Sequence, residues 1–222
     1  MEYRHELKFY ISDLTIEKLR YRLSAVMDTD EHHDIDGYTI RSLYFDDYFD
    51  KCLNENLAGT DDRFKYRIRL YNGNTDFINL EKKYKYRLMT KKISEAVSKD
   101  EVINCMSDGF YEGDGSLAAE LYAMHHQSGM KPKCIVEYDR VAFTEPVGNV
   151  RITFDMNLRG SADVDRFLDF TEDFTIPVLP ARYHILEVKY DEVLPRHILQ
   201  LVDMNNLHRQ SISKYALVRE VV

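Results

Sequence analysis

Lys65, Arg67 and Arg69 occupy alternate positions in the stretch KYRIRLY, with Tyr66, Ile68 and Leu70 between them. A β-strand built from these residues has one basic face and one apolar face. Four other stretches repeat the division. Arg4, Glu6 and Lys8 alternate with His5, Leu7, Phe9 and Ile11, and Glu81, Lys83, Lys85 and Arg87 with Leu80, Lys82, Tyr84 and Tyr86. Arg151, Thr153 and Asp155 oppose Ile152, Phe154 and Met156, and Glu187 and Lys189 oppose Leu186, Val188 and Tyr190. Arginine offers planar bidentate hydrogen bonds and lysine a point charge, so cations at this density suit phosphate.

A flat sheet would cover its apolar side with helices and line up like charges in water on the other, where directly opposed cations repel. A sheet closed on its charged side instead puts the helices outside and makes the interior a polar tunnel. Holding so many cations out of water requires a polyanion to pair with them. Carboxylates among those cations would repel that ligand unless they held a divalent metal, and hard oxygen donors favour Mg²⁺ or Mn²⁺. Glu6 and Glu187 are the leading metal candidates, with Asp155 and Glu137 behind them. Taken singly, each E-x-K pair reads first as a cross-strand salt bridge; their co-occurrence is what points to a site.

The chain has no GxxxxGK[ST] and no GxGxxG, so neither a P-loop nor a dinucleotide fold would carry the phosphates. No Ser/His or Cys/His pair stands out as nucleophile and base. The chemistry expected is phosphoryl transfer by positioning and charge neutralisation.

Strand-like runs must position these residues: Tyr3 to Ile11, Tyr38 to Asp46, Arg63 to Tyr71, Phe77 to Arg87 with a continuation over Met89 to Ser94, Lys133 to Phe143, Asn149 to Leu158 and Tyr183 to Tyr190. NGN at 72–74 and EPVGN at 145–149 supply hairpin turns. Helices are expected after Ser12 and Asp13 (Ile16, Leu19, Leu23, Val26), after a Ser98/Glu101 capping box, over Leu117 to His126 with a stop at Gly129, and with Pro195 in the first turn of a helix carrying Ile198, Leu201 and Val202. The fold expected is α+β: an eight-stranded antiparallel β-barrel enclosing a basic tunnel, with helices packed outside.

The 222 residues, 44% hydrophobic and 31% charged, suit one domain over 1–222. A net charge of −8 argues against nonspecific binding to nucleic acid or an anionic membrane. Charge is segregated: Arg63 to Lys92 holds ten Lys or Arg against Asp76 and Glu81, a local +8 that leaves −16 for the remainder. No apolar run approaches the roughly 18 residues of a membrane helix, and MEYRHELKFYIS lacks a secretory apolar core, so a cytoplasmic protein is expected. Cys52, Cys105 and Cys134 fit neither a disulfide framework nor a CxxC metal site and read as reduced packing residues. The pairs His32-His33 and His125-His126 read as solvent-exposed, because adjacent side chains point apart.

The ordered series YRHELKFYI (3–11), RSLYFDD (41–47), KYRIRLY (65–71), LEKK (80–83), EYDRVAF (137–143), RITFD (151–155), ILEVKY (185–190) and SKY (213–215) resembles the VTC domain, the polyphosphate polymerase branch of the triphosphate tunnel metalloenzymes (CYTH-like superfamily). Each motif is weak alone, and their order and spacing over residues 3 to about 215 are specific. The resemblance implies an eight-stranded tunnel, ATP bound through its phosphates, and Mn²⁺ or Mg²⁺ held by glutamate. It implies a catalytic set of Arg67, Arg69, Lys83, Arg140 and Lys214, further phosphate contacts from Lys8, Arg151 and Lys189, and Glu187 as chief metal ligand. Glu6 matches the second carboxylate of the superfamily's ExExK signature and joins Glu187 as metal candidate, whereas Arg4 stands where the first carboxylate would be, which argues against a hydrolytic two-metal mechanism. A lysine is also expected on the strand after LEKK, Lys91 in preference to Lys92. The implied partners are ATP, polyphosphate and inorganic phosphate. Neither an SPX-like helical sensor nor a membrane segment is expected in this chain, which leaves a place for a membrane-associated partner. Two rival readings stay open: a triphosphatase of the same tunnel fold, and a noncatalytic module that binds polyphosphate or nucleotide.

Overall fold

The computed structural model describes residues 3–29, 37–87, 89–108, 116–171 and 173–222. In chain order the strands and helices are β1 (Arg4–Ser12), α1 (Asp13–Leu23), β2 (Asp28–Thr29), β3 (Tyr38–Asp46), α2 (Lys51–Leu57), β4 (Arg63–Tyr71), β5 (Asn74–Tyr86), β6 (Met89–Val97), α3 (Lys99–Asp108), α4 (Ser116–Ser128), β7 (Lys131–Glu145), β8 (Val150–Ser161), β9 (Ile176–Pro177), β10 (Tyr183–Tyr190), α5 (Arg196–Val202) and α6 (Lys214–Arg219).

Local chemistry explains the boundaries. Asn72 and Gly73 both adopt positive φ (50° and 67°), the backbone a tight type I′ hairpin demands, and they turn β4 into β5. The Ser12 hydroxyl accepts from Thr15 N and starts α1, while Val26 lies beyond that helix and is exposed rather than on its buried stripe. Ser98 and Glu101 form the reciprocal capping box, with Ser98 N donating to Glu101 Oε2 at 2.6 Å and Glu101 N to Ser98 Oγ at 3.2 Å. Gly129, at φ 68°, stops α4, and Pro195 sits at the N-cap of α5, one residue before its first turn.

The strands close antiparallel in the order β7-β3-β4-β5-β6-β1-β10-β8, and β8 returns to pair with β7. β2 and β9 are two-residue additions against β7 and β8. Closure leaves the apolar faces outward, where two clusters cover them. One joins Tyr66, Ile68 and Leu70 of β4 to Val102 of α3, Leu117 and Leu121 of α4 and Tyr215 and Val218 of α6. The other joins Phe9, Phe154 and Val188 to Ile16, Leu19 and Leu23 of α1 and Ile198 and Val202 of α5. Burying each such side chain stabilises the fold by roughly 1.5–3 kcal/mol, so the hydrophobic core of this barrel lies between its wall and its helices. Gly160 makes one close approach possible: a Cβ there would run into the Val218 side chain and push α6 off the wall.

The outer face also holds buried charge. Lys82 points outward, ion-paired with Glu120 of α4 and enclosed by the rings of Phe64, Tyr66 and Tyr84, with its ammonium 4.3 Å from the Tyr84 centroid. The three cysteines are buried thiols. His125 is not simply exposed: it is half-buried, its Nδ1 donating to the Met130 carbonyl at 2.8 Å, whereas His126 is exposed beside Tyr122. His32 and His33 lie outside the described residues.

Candidate functional site

Strand register decides what enters the tunnel. Lys65, Arg67 and Arg69 of β4 face inward opposite Lys83, Glu81 and Asn79 of β5, and Ser42 and Tyr44 of β3 lie across from Arg69 and Arg67. Glu6 pairs in register with Lys189 and Lys8 with Glu187, so the β1–β10 ladder alternates charge sign across the strands. Arg140 of β7 sits opposite Asp155 of β8. Lys214 enters from the start of α6, held there by the buried Tyr215 and Val218 that follow it.

These side chains line a narrow central cavity of about 50 Å³. Among the described residues, eight cations (Lys8, Lys65, Arg67, Arg69, Lys83, Arg140, Lys189, Lys214) line it against two carboxylates, Glu6 and Glu187, with Tyr44 and Tyr138. Glu81 and Asp155, 1% and 0% exposed, hold the guanidinium groups from behind. Arg140 reaches both Asp155 oxygens at 2.6 and 2.7 Å, a bidentate pair. Arg67 Nε donates to Glu81 Oε2 at 2.6 Å and its Nη1 to Tyr44 Oη at 2.9 Å. Arg69 Nη2 donates to Tyr138 Oη at 3.2 Å, with Glu81 3.9 Å away.

The carboxylates are shared. Glu187 meets Lys214 at 2.6 Å, Lys189 at 2.9 Å, Lys8 at 3.3 Å and Arg140 at 3.7 Å. Glu6 meets Lys83 at 2.7 Å and approaches Lys8 and Lys189 at 3.7 and 3.8 Å. Burial opposes ionisation of both acids, but Lys189, Lys214, Lys8 and Arg140 around Glu187, and Lys8, Lys83 and Lys189 around Glu6, overcome it and hold both well below the usual carboxylate range. Burial works the other way on two of the lysines, and for Lys83 it outweighs even the contact with Glu6. With the cations beside them, it brings Lys65 and Lys83 down to about 8. Burial raises the Tyr44 phenol, yet Arg67, Lys65 and Arg69 outweigh it and lower the group to about 7.

The donor set fits a divalent cation in one way only. No group of three or more His, Cys, Asp or Glu among the described residues could form a protein cage. Two ionised carboxylates facing one phosphate-sized space match a hard cation that keeps most of its ligands as phosphate oxygens and water.

The sequence matches the VTC domain over residues 3–222. The chain belongs to the VTC domain family. This VTC domain shares its fold with two solved structures, both provisionally described as adenylate cyclases. One is from Bacillus halodurans, at 15% identity and a TM-score of 0.54 over 91% of each chain. The other is from Vibrio parahaemolyticus, at 11% identity and a TM-score of 0.54 over 98% of each chain. Among curated proteins none matches the sequence. No helix among the described residues is long and apolar enough to cross a membrane.

Of the residues expected in the tunnel of this VTC domain, Lys8, Arg67, Arg69, Lys83, Arg140, Lys189, Lys214, Glu6 and Glu187 meet in the central cavity. Arg151 faces inward nearer one end, its Nη2 donating to Tyr38 Oη at 3.1 Å. Lys91 does not face the tunnel. The β5–β6 register sets it opposite Tyr84 on the outer face and places Lys92 opposite Lys83 inside, with Lys92 Nζ 2.8 Å from Glu81 Oε1. Glu137 is corrected likewise: it faces outward, clamped between Arg41 and Arg159. Arg4 turns to Asp191 at the barrel rim, 2.8 Å away. Sequence reasoning passed over Tyr44, Tyr138 and Ser42 because β3 and β7 read as apolar runs; their alternation, Ser42 with Tyr44 and Tyr138 with Arg140, was the available signal.

Proposed function

We propose that this VTC domain is a polyphosphate polymerase, which transfers the γ-phosphate of ATP to the end of a growing polyphosphate chain. The observation that carries the reading is the charge imbalance of the central cavity, eight cations lining it against two carboxylates. Even with Glu81 and Asp155 holding two of the guanidinium groups from behind, such a buried surplus is costly to leave empty and favours a polyanion among its groups. A nucleoside triphosphate and a linear polyphosphate present that charge in a narrow rod.

Arg67, Arg69 and Arg140 are pre-set by Glu81, Tyr138 and Asp155, so their guanidinium groups present donors to phosphate oxygens with little reorganisation. Lys83 and Lys214 add point charge from two further directions, and Lys8, Lys189 and Arg151 continue the wall. The chain's terminal phosphate oxygen attacks in line and ADP leaves. The attacking oxygen is already anionic, so the wall's task is to suppress repulsion between two anions held in contact. A Mg²⁺ or Mn²⁺ carried in with the triphosphate, with Glu187 and Glu6 as its protein ligands, would supply further neutralisation of the phosphate oxygens.

The test is incubation of the pure protein with ATP and Mn²⁺ or Mg²⁺, with products separated on a gel that resolves polyphosphate. Chains growing as ADP accumulates support the polymerase. Phosphate released without chains would make the protein a tunnel triphosphatase, and salt-sensitive binding with no turnover would make it a binding module.

A further inference from the structure

The eight barrel strands close without α6, yet α6 carries Lys214 into the tunnel. A helix of six residues has little stability of its own, and a cation in its first turn faces the positive end of the helix dipole. Contacts outside the tunnel must therefore hold α6 in place. Val218 packs against the wall, and the polar contacts converge on Tyr215.

Tyr215 Oη donates to Asp46 Oδ2 at 2.6 Å and accepts from Arg219 Nη1 at 2.8 Å. The same guanidinium reaches both oxygens of Asp50, each at 3.0 Å, and Lys133 Nζ joins Asp50 at 2.9 Å. Both acids belong to the junction of β3 and α2: Asp46 ends the strand and Asp50 stands at the N-cap of the helix. Asp46 is fully buried and fixed in turn by the backbone N–H groups of Asp47, Cys52 and Leu53, at 2.9, 2.8 and 2.9 Å. The Tyr215 ring also stacks on Tyr44, with centroids 5.2 Å apart and planes at 27°. None of Asp46, Asp50, Tyr215 and Arg219 lines the central cavity. In the empty tunnel Lys214 has its own ion pairs with Glu187 and Asp155. A metal-borne triphosphate competes for Glu187, and the fastening of α6 then has to keep the ammonium in line.

We propose that Tyr215 and Arg219, fastened to Asp46 and Asp50, are positioning residues for Lys214: they hold α6 against the barrel so that the ammonium keeps its place when phosphate enters and Glu187 turns to a metal. The role rests on the polymerase reading, because the transferred phosphate is what Lys214 must meet.

The test places Tyr215→Phe and Arg219→Met on the wild-type and Lys214→Met backgrounds. Tyr215→Phe keeps the stacked ring and leaves Asp46 its three backbone donors, so it should fold even if Arg219→Met does not. Each is expected to lower kcat for chain synthesis about tenfold on the wild-type background, the scale of one charge-assisted hydrogen bond, and to lower it no further on Lys214→Met. Arg219→Lys, which keeps the charge beside Asp50, should recover part of the loss. A second readout needs no turnover: acetylation of Lys214 in the ligand-free protein, followed by peptide mapping, should run severalfold faster in Tyr215→Phe while Lys189 in the same tunnel keeps its wild-type rate. The same fractional loss of kcat on both backgrounds, an unchanged kcat in Tyr215→Phe, or Lys189 quickening as much as Lys214 overturns the positioning role and leaves the polymerase reading standing. A wild type that makes no chains overturns the polymerase reading, and the acetylation rates then decide by themselves whether these residues place Lys214.

Discussion

Lys214 Nζ stands 2.6 Å from Glu187 Oε1, a contact between the final helix and β10 that closes the ring of tunnel charges. The same ammonium lies 2.5 Å from Asp155 Oδ2, so α6 fastens two acids on two strands at once. Glu187 is 3% exposed and shared by three lysines and Arg140. It therefore spaces the cations of the ligand-free tunnel and offers a hard oxygen for a phosphate-borne metal.

Glu187→Gln keeps the shape and removes the charge. Chain synthesis should fall at least about 100-fold, the scale of losing one preorganised electrostatic group, and the melting temperature should drop because buried lysines lose their acid. Initial rates and thermal melts check both. Full polymerase activity in the variant would sink the assignment.

Arg67 and Arg69 share a face but not an anchor. Arg67→Ala strips Glu81, 1% exposed, of its 2.6 Å partner and leaves Lys92 and the more distant Arg69 to hold it. That should cost about 3–5 kcal/mol, the penalty for breaking a buried pair. Arg69→Ala breaks two hydroxyl contacts, to Ser42 and Tyr138, and should cost stability far less. Both variants should lose chain synthesis. Denaturant titrations showing equal destabilisation would count against the anchoring of Arg67 by Glu81.

The alternation in β1, β4, β5, β8 and β10 made the inner face readable, because two-residue periodicity survives whichever side is buried. What the sequence left open was set by register and by distant packing. Tyr44 and Tyr138 belong to strands buried on both faces, where period two is lost among apolar residues. Glu81 sits in the basic run, yet its role holding Arg67 depends on cross-strand distance. The segment from Tyr84 to Thr90 could slip by one residue without altering its composition, and one residue exchanges the two faces.

That exchange yields a direct test. Lys92 points inward beside Glu81 and Lys91 outward opposite Tyr84. Lys92→Ala should weaken triphosphate binding severalfold, through lost charge and a freed Glu81, while Lys91→Ala leaves it unchanged. Binding isotherms for the two variants decide the register. A larger effect from Lys91 would mean that the β5–β6 pairing is shifted.

Metal removal should separate activity from folding. With no cage of three or more His, Cys, Asp or Glu among the described residues, the protein without nucleotide has no built site for a divalent cation to stabilise. Chelation should therefore stop turnover while the melting temperature of the nucleotide-free protein stays where it was. A melt that falls on chelation would mean that the metal is a structural component.

The pH response follows from Lys65, which has no carboxylate within ion-pair reach among the described residues and contacts Ser213 Oγ and the Tyr44 ring instead. Burial, aided by Lys83, Lys8 and Arg67 and opposed by Tyr44, lowers Lys65 from its ordinary value of 10.5 to about 8. The unfolded chain therefore binds more protons than the folded one between about pH 8 and 10.5, so the stability owed to this group rises with pH across that window. Below pH 8 the group is charged in both states and its penalty is complete. Lys65→Met should then melt higher than wild type at pH 7 without ligand, by about 2–4 °C for each kcal/mol of penalty removed. The gap should narrow as pH climbs from 8 toward 10. Polyphosphate added at pH 7 should reverse the order, because the charge that burdens the empty tunnel is the one that holds the chain. A wild type that melts above Lys65→Met at pH 7 in the absence of any anion would show that Lys65 is already paired.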